Sequence, residues 1–455
     1  MSNTEDTIIE LNQQARSLAL QGRYQEAEPI YQRALTLCEE ELGPDHSLTA
    51  SLNNNTAYFF LQQRRYAEAQ PLFLRALSIA EDMHGTEHPN LTTTLDNLGQ
   101  TYYQLGDYQE SESYYRRALD MKEKLYGPDD PDTGITLDNL ATLLKGQGRY
   151  VEAEPLFLRA LTICDEQLDT DHPDTSAVCS NLAGLYNKQG RFQEVEPLYQ
   201  RALSIAERSL GLDHPHTSLI LNNLALFYRD QQRYDEAEPL FRHSLAIQER
   251  ALGPENPEVG NILANLARSL RFQGQPEEAE RLYMRALAIH ENALSPEHPT
   301  TALTLDNLGR LYRAQGRFDE AEPLFRRALA IQEKTLGPEH PETCQTLDDI
   351  AGWYGLQQRF QEAEPIYRRV LASTEKALGP EHPETAITSF SFAGVLSQLG
   401  KLSEAEILLR RALKINQQSY GPHHPTTRET RDMLARLLAS QERQSEAQEL
   451  YKDEA

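Results

Sequence analysis

The stretch LDNLGRLYRAQGRF, Leu305–Phe318, decides how the chain folds. At about 100° per residue, Leu305, Leu308, Leu311 and Tyr312 fall on one arc of a helix. Asn307 stands at the border of that arc, and Arg310 and Arg313 lie progressively further round. The segment is an amphipathic helix with an amide and two guanidinium groups on its wet side. That side reads either as ordinary solvated surface or as the wall of a ligand site. Gly316, within the "QGRF" that closes the segment, marks a turn.

The same pattern recurs along the chain. Variants of "LGPEHP" place their first turn residue at Gly43, Gly85, Gly127, Asp169, Gly211, Gly253, Ser295, Gly337, Gly379 and Gly421, always 42 residues apart. A second anchor, "QGRYxEAEPLFxRAL", keeps this step from Gly22 to Glu442. Fixed self-similarity of this length is the mark of a repeat array. The anchors delimit eleven helix–turn–helix repeats: 1–46, 47–88, 89–130, 131–172, 173–214, 215–256, 257–298, 299–340, 341–382, 383–424 and 425–455. Each repeat buries only one side against its neighbours. That accommodates 455 residues of which only 39% are hydrophobic, with a mean hydropathy of −0.61. Strand signals are absent, so the class is all-α. The first helix runs as in Thr301–Ala314 and the second as in Asp319–Leu336, where Ala321, Leu324, Phe325, Ala328 and Leu329 face inward. Small residues such as Gly99, Ala141 and Gly309 let a neighbouring helix approach. Proline in "EAEP" (Pro155, Pro197, Pro239, Pro323, Pro365) predicts a first-turn irregularity or a kink.

The repeat resembles the tetratricopeptide (TPR) repeat. The third copy carries Asn97, Leu98, Gly99, Tyr102, Gly106, Tyr108, Tyr115, Ala118, Leu119 and Pro131 in the matching places, with Ser111 in place of the second-helix Ala. The 42-residue step, "RALxIxExxLGPxHP" and "NNLA" are similar to the kinesin light chain type. Kinesin light chains also carry a heptad coiled coil that joins the motor heavy chain, and this sequence has no such segment. The resemblance covers nearly the whole chain. It implies a right-handed α-solenoid of antiparallel helix pairs in one continuous core, whose first helices line the concave surface.

Several recurrent residues have structural explanations. His46, His88, His172, His214, His298, His340, His382 and His424 recur in phase like a metal array. Metal ligands must converge within about 2 Å of one ion, whereas packed helices stand roughly 10 Å apart. Asp130 and Asn256 share the position, just before a proline, so the side chain reads as an N-cap. Glu occupies one second-helix position in all eleven repeats, from Glu26 to Glu446, and Arg another in nine, from Arg33 to Arg411. Acids early and bases late on a helix complement its dipole and link adjacent turns. No glycine-rich phosphate loop, G-x-S-x-G or H-E-x-x-H is present. No constellation of catalytic groups appears, and none is expected along a rod of repeated pairs. The expectation is no enzyme, no metal and no cofactor.

The first helix differs from this uniform frame. One of its positions holds Asn55, Asn97, Asn139, Asn181, Asn223, Asn265 and Asn307, then Asp349, Ser391 and Met433. Asparagine is a mediocre helix former, so its recurrence calls for a reason. Its amide matches a peptide bond in donors and acceptors. The resemblance implies that this residue grips the main chain of bound peptides; bonding within the array is the other reading. Three and six residues further, the middle repeats carry Lys145, Asn187, Arg229, Arg268, Arg271, Arg310 and Arg313, with Lys188 nearby. The outer repeats are mostly neutral there, with Tyr58, Gln100, Gly352 and Ser397. Tyr186, Tyr228 and Tyr312 lie on the core arc and read as packing.

These features predict a non-enzymatic scaffold or adaptor that binds an extended acidic peptide in its concave groove. Asn97, Asn139, Asn181, Asn223, Asn265 and Asn307 would hold its main chain, and the Lys and Arg residues its carboxylates. The alternative is a self-associating spacer without a groove ligand, and an enzyme is the remote third. A net charge of −25 argues against nucleic acid and anionic membrane. No apolar run of about 18 residues exists, and MSNTEDTIIELNQQ lacks the features of a signal peptide. Cys38, Cys164, Cys179 and Cys344 follow no disulfide or metal spacing, so the expected setting is the cytoplasm.

Overall fold

Most repeats open on a side-chain cap. In a computed structural model, which describes residues 2–422 and 424–451, His172 Nδ1 accepts from the backbone N–H of Asp174 at 3.3 Å. Asp130 and Asn256 do the same through Oδ1, each at 2.9 Å. The shared geometry explains why His, Asp and Asn exchange here: each offers an acceptor to the second helical N–H. Proline follows at the first helical position, as at Pro173 and Pro257. The first helix closes on a left-handed residue, for example Gly148 at φ +76°. Arg64, Gln232, Gln358 and Glu442 hold the same conformation at φ +60° to +63°. The second helices Tyr150–Gln167 and Phe318–Thr335 run unbroken through Pro155 and Pro323. The carbonyls that lose a donor belong to Gly-free, exposed first-turn residues, Val151 and Asp319. Water reaches them there, so the proline interrupts nothing buried.

Among the described residues there are 22 α-helices, one short 3-10 turn and no strand. Helices pack on their neighbours in the chain, as Pro131–Gly146 does on Tyr150–Gln167 and Pro299–Ala314 on Phe318–Thr335, the arrangement of an α-solenoid. Contacts divide the chain into two compact halves, Met1–Phe227 and Tyr228–Ala455. In the first half, an ideal Cβ on Gly99 would lie 2.7 Å from the Tyr115 ring. In the second, one on Gly309 would lie 2.9 Å from Phe325. The predicted close approach is therefore real: an aromatic of the second helix rests on the backbone of the first. A different inward position of the second helix is polar in some repeats. His290 is fully buried there, with Nδ1 2.9 Å from Thr304 Oγ1 and Nε2 3.3 Å from the Pro257 carbonyl. Only a glycine fits opposite, since a Cβ on Gly260 would stand 2.4 Å from Nε2.

The charged residues of the second helix bind repeat to repeat. Arg317, just before its helix, pairs with Glu320 at 2.7 Å and with Glu280 of the preceding repeat at 2.6 Å. Its guanidinium lies 4.0 Å from the centre of the Tyr312 ring. Arg65, Arg149, Arg191 and Arg443 repeat the two-carboxylate bridge. Most of the recurrent glutamates thus find turn arginines. The recurrent second-helix arginines reach the preceding repeat instead of along their own helix. Arg159 meets Glu123 and the Pro128 carbonyl, both at 2.6 Å. Parallel second helices stand side by side, so the neighbouring helix end is the nearest acceptor. Such part-exposed pairs are worth at most about 1 kcal/mol each, and their main effect is on register.

Replacing Gln358 by Gly is expected to raise the thermal midpoint, by relieving about 1 kcal/mol of left-handed strain. Gly99→Ala is expected to lower it, at a cost of roughly 1–3 kcal/mol for overpacking against Tyr115. Circular dichroism melts of both variants read the two signs.

Candidate functional site

Helical spacing sets the candidate residues on one side of successive first helices. In the second half, Pro257–Phe272 carries Asn265, Arg268 and Arg271, and Pro299–Ala314 carries Asn307, Arg310 and Arg313. Arg229 comes from the end of Pro215–Asp230. The structure brings these guanidinium groups together but does not treat them alike. Arg310 Nη2 lies 2.9 Å from Asp306 and 2.7 Å from Asp349, and Arg313 Nη1 is 2.9 Å from Asp349. Arg229 pairs with the exposed carboxylate of Asp230 at 2.7 Å and reaches Asn265 Oδ1 at 3.4 Å. Asn307 turns back to the Leu303 carbonyl at 3.0 Å.

Arg268 and Arg271 have no carboxylate partner among the described residues. Arg271 only faces the Phe272 ring, 4.5 Å from its centre. Burial, with the charges of Arg229 and Arg310, holds the Arg268 guanidinium below its ordinary pKa. Burial does the same to Arg271, whose cationic neighbours are Arg310 and Arg313. Near them lies Tyr283, 0% exposed, whose hydroxyl has no hydrogen-bond partner among the described residues. Its phenol is pushed up to about 12 by burial, against the pull of Arg271, Arg268, Arg229 and Arg310. An orphaned donor among uncompensated cations is an arrangement that an anion completes. The Asp306 carboxyl is pushed up to about 6, first by burial and against the pull of Arg310.

In the first half the candidates are more dispersed. Asn181 Nδ2 donates to both oxygens of Asp138 at 3.1 and 3.0 Å. Lys145 Nζ lies 3.4 Å from the Asn181 carbonyl and 5.5 Å from the centre of Phe157, its charge disfavoured by burial. The side-chain amides of Asn97, Asn139, Asn187 and Asn223 make no bond to another described residue, and Lys188 is exposed. The asparagine ladder therefore divides: some amides bond within the array and others are half-buried without a partner among the described residues. Tyr186, Tyr228 and Tyr312 are buried beneath Arg191, Arg233 and Arg317, as packing requires. Sequence reasoning missed Tyr283 and the counter-ion role of Asp306 and Asp349. Asp349 stands 36 residues from Arg313, six short of a whole repeat, and that near-period separation was the available signal.

A tetratricopeptide repeat model matches the chain in ten overlapping segments from residue 7 to residue 454, including 48–124, 132–208, 216–292 and 300–376. The chain belongs to the tetratricopeptide repeat family. No curated protein matches it. Similar solved structures include BtubC (BKLC) from P. vanneervenii, 26% identical over 51% of this chain and 94% of that one, with a TM-score of 0.45. A putative kinesin light chain from Podosopora anserina with nearly identical TPR-like repeats is 30% identical over 45% and 97%, TM-score 0.41. The human IFIT1 dimer with m7Gppp-AAAA is 18% identical over 90% and 86%, TM-score 0.56, a likeness of fold alone. Tetratricopeptide repeats are generally scaffolds for protein–protein interaction. No helix of the described residues is long and apolar enough to cross a membrane.

If Arg268 is held for a ligand and not for folding, removing it costs the free protein nothing. Arg268→Gln is expected to leave the melting temperature unchanged or higher. Asp349→Asn is expected to lower it, because Arg310 and Arg313 lose a shared counter-ion, by roughly 1–3 kcal/mol.

Proposed function

We propose that this chain is a non-enzymatic scaffold or adaptor whose eleven repeats form one continuous solenoid, holding an extended acidic peptide along its first helices. One observation carries the reading: Arg268 and Arg271 are half-buried and lack a carboxylate partner among the described residues, beside the orphaned hydroxyl of Tyr283. Half-buried cations without an ion-pair partner are candidates for a functional role. An acidic side chain of the peptide supplies the missing counter-charge at Arg268 and Arg271. Arg310 and Arg313, already shared with Asp306 and Asp349, form the flank of that seat. The unpaired amides of Asn97, Asn139 and Asn223 bond peptide main chain elsewhere on the array. The partner is a protein, not nucleic acid or membrane, in keeping with the net charge of −25. Four buried free thiols, Cys38, Cys164, Cys179 and Cys344, suit a reducing cytoplasm.

Peptide display against the purified chain, at low and at moderate salt, tests this. Acidic peptides should be enriched, more so at low salt, and Arg268→Gln with Arg271→Gln should abolish the enrichment. A folded sample that enriches no acidic peptide rejects the reading. Affinity should also rise as pH falls from 7.5 to 5.5. Burial pushes the Asp306 carboxyl up to about 6, and it competes with the ligand for Arg310; its protonation removes one negative charge beside the seat. Calorimetric titration at the two pH values reads the direction.

A further inference from the structure

Five repeats carry an aspartate one residue before the ladder position: Asp96, Asp138, Asp306, Asp348 and Asp432. Four of them are partnered. Asp96 pairs with Lys122 at 2.6 Å, Asp138 accepts from Asn181, Asp306 meets Arg310, and Asp432 accepts from the Tyr451 hydroxyl at 2.7 Å. Asp348 has no hydrogen-bond or ion-pair partner among the described residues, and its Oδ1 is buried. It faces a cleft whose water-accessible volume is about 220 Å³.

The third repeat shows what fills the equivalent cleft. There the Lys122 side chain, 5% exposed, enters from the second helix. Its Nζ bonds Asp96, Thr136 Oγ1 at 2.9 Å and the Asp132 carbonyl at 3.0 Å. Six repeats later Asp348, Thr388 and Glu384 occupy the positions of Asp96, Thr136 and Asp132. Thr374 occupies that of Lys122. The acceptors are retained and the ammonium is gone. In its place is the cleft, walled by Val370 and Ile387 and rimmed by the exposed carboxylates of Glu339 and Glu384. Glu339 also pairs with Lys376 at 2.6 Å.

We propose that this cleft binds a primary alkylammonium group, which takes the place that Lys122 Nζ fills in the third repeat. The Asp348 carboxylate and Thr388 Oγ1 accept from the ammonium, and Val370 and Ile387 line its alkyl chain. The volume lies below the roughly 300–1,000 Å³ of drug-sized sites, so the group is small. The rim glutamates draw cations inward. No set of three metal-ligating side chains converges anywhere among the described residues, and an organic cation is the better match. The ammonium belongs either to a free amine or to a lysine side chain presented by another protein.

The test is calorimetric titration of the full chain at pH 7.5. The probes are n-butylamine, 1,4-diaminobutane, n-butanol, and a short glycine peptide with one central lysine, free or acetylated. Saturable binding of the amines but not of butanol is expected, and Asp348→Asn should weaken it by roughly ten-fold or more. Thr374→Lys should raise the melting temperature, by filling the cleft from within, and abolish binding. Binding of amines alone assigns a free amine; binding of the lysine peptide, lost on acetylation, assigns a protein-borne lysine. Either supports the proposal. It is overturned if neither probe binds the folded wild type, or if Asp348→Asn or Thr374→Lys binds as tightly as the wild type.

Discussion

The contact of an aromatic ring with a residue that has almost no side chain sets the geometry of the repeat. Tyr115 on Gly99 and Phe325 on Gly309 hold the two helices of a pair at backbone distance. Interaxial distance follows from the side chains at the contact. Once that distance is common to the repeats, equivalent atoms recur at a constant offset along the stack. The arginine bridges depend on it. Arg65, Arg149, Arg191, Arg317 and Arg443 each find a glutamate 37 residues earlier. A change in helix separation in one repeat would move the carboxylate of the preceding repeat away from its guanidinium.

Much of this was legible in the chain itself, because its repeats act as one another's controls. The exchange of His172 for Asp130 and Asn256 identified the caps without coordinates. The small residues opposite the aromatics were equally plain. What could not be read was pairing across repeats. Arg317 and Glu280 lie far apart in sequence, and nothing local joins them. The "EAEP" proline looked disruptive because helix rules price an interior proline without knowing that the first turn faces water.

The candidate site was legible in its residue types but not in its charge balance. Arg268, Arg271, Arg310 and Arg313 look equivalent on a helical wheel. They differ because Asp306 and Asp349 reach only the last two. The carboxylates approach from the same helix and from the next one, so the count of free cations is a tertiary property. Tyr283 escaped notice for a related reason: an aromatic in that position is packing in its sister repeats, and only its arginine surroundings set it apart.

Equal repeat lengths create a hazard of their own: a stack displaced by one repeat would preserve nearly every apolar contact. The two arginine pairs on Asp349 break that degeneracy, because they cross from one repeat to the next. The following repeat carries Ser391 at the corresponding position. Seated one repeat further on, Arg310 and Arg313 would meet a hydroxyl and lose their shared carboxylate. One acid thereby serves as a key to the order of assembly, making the slipped stack costly before the native one is complete.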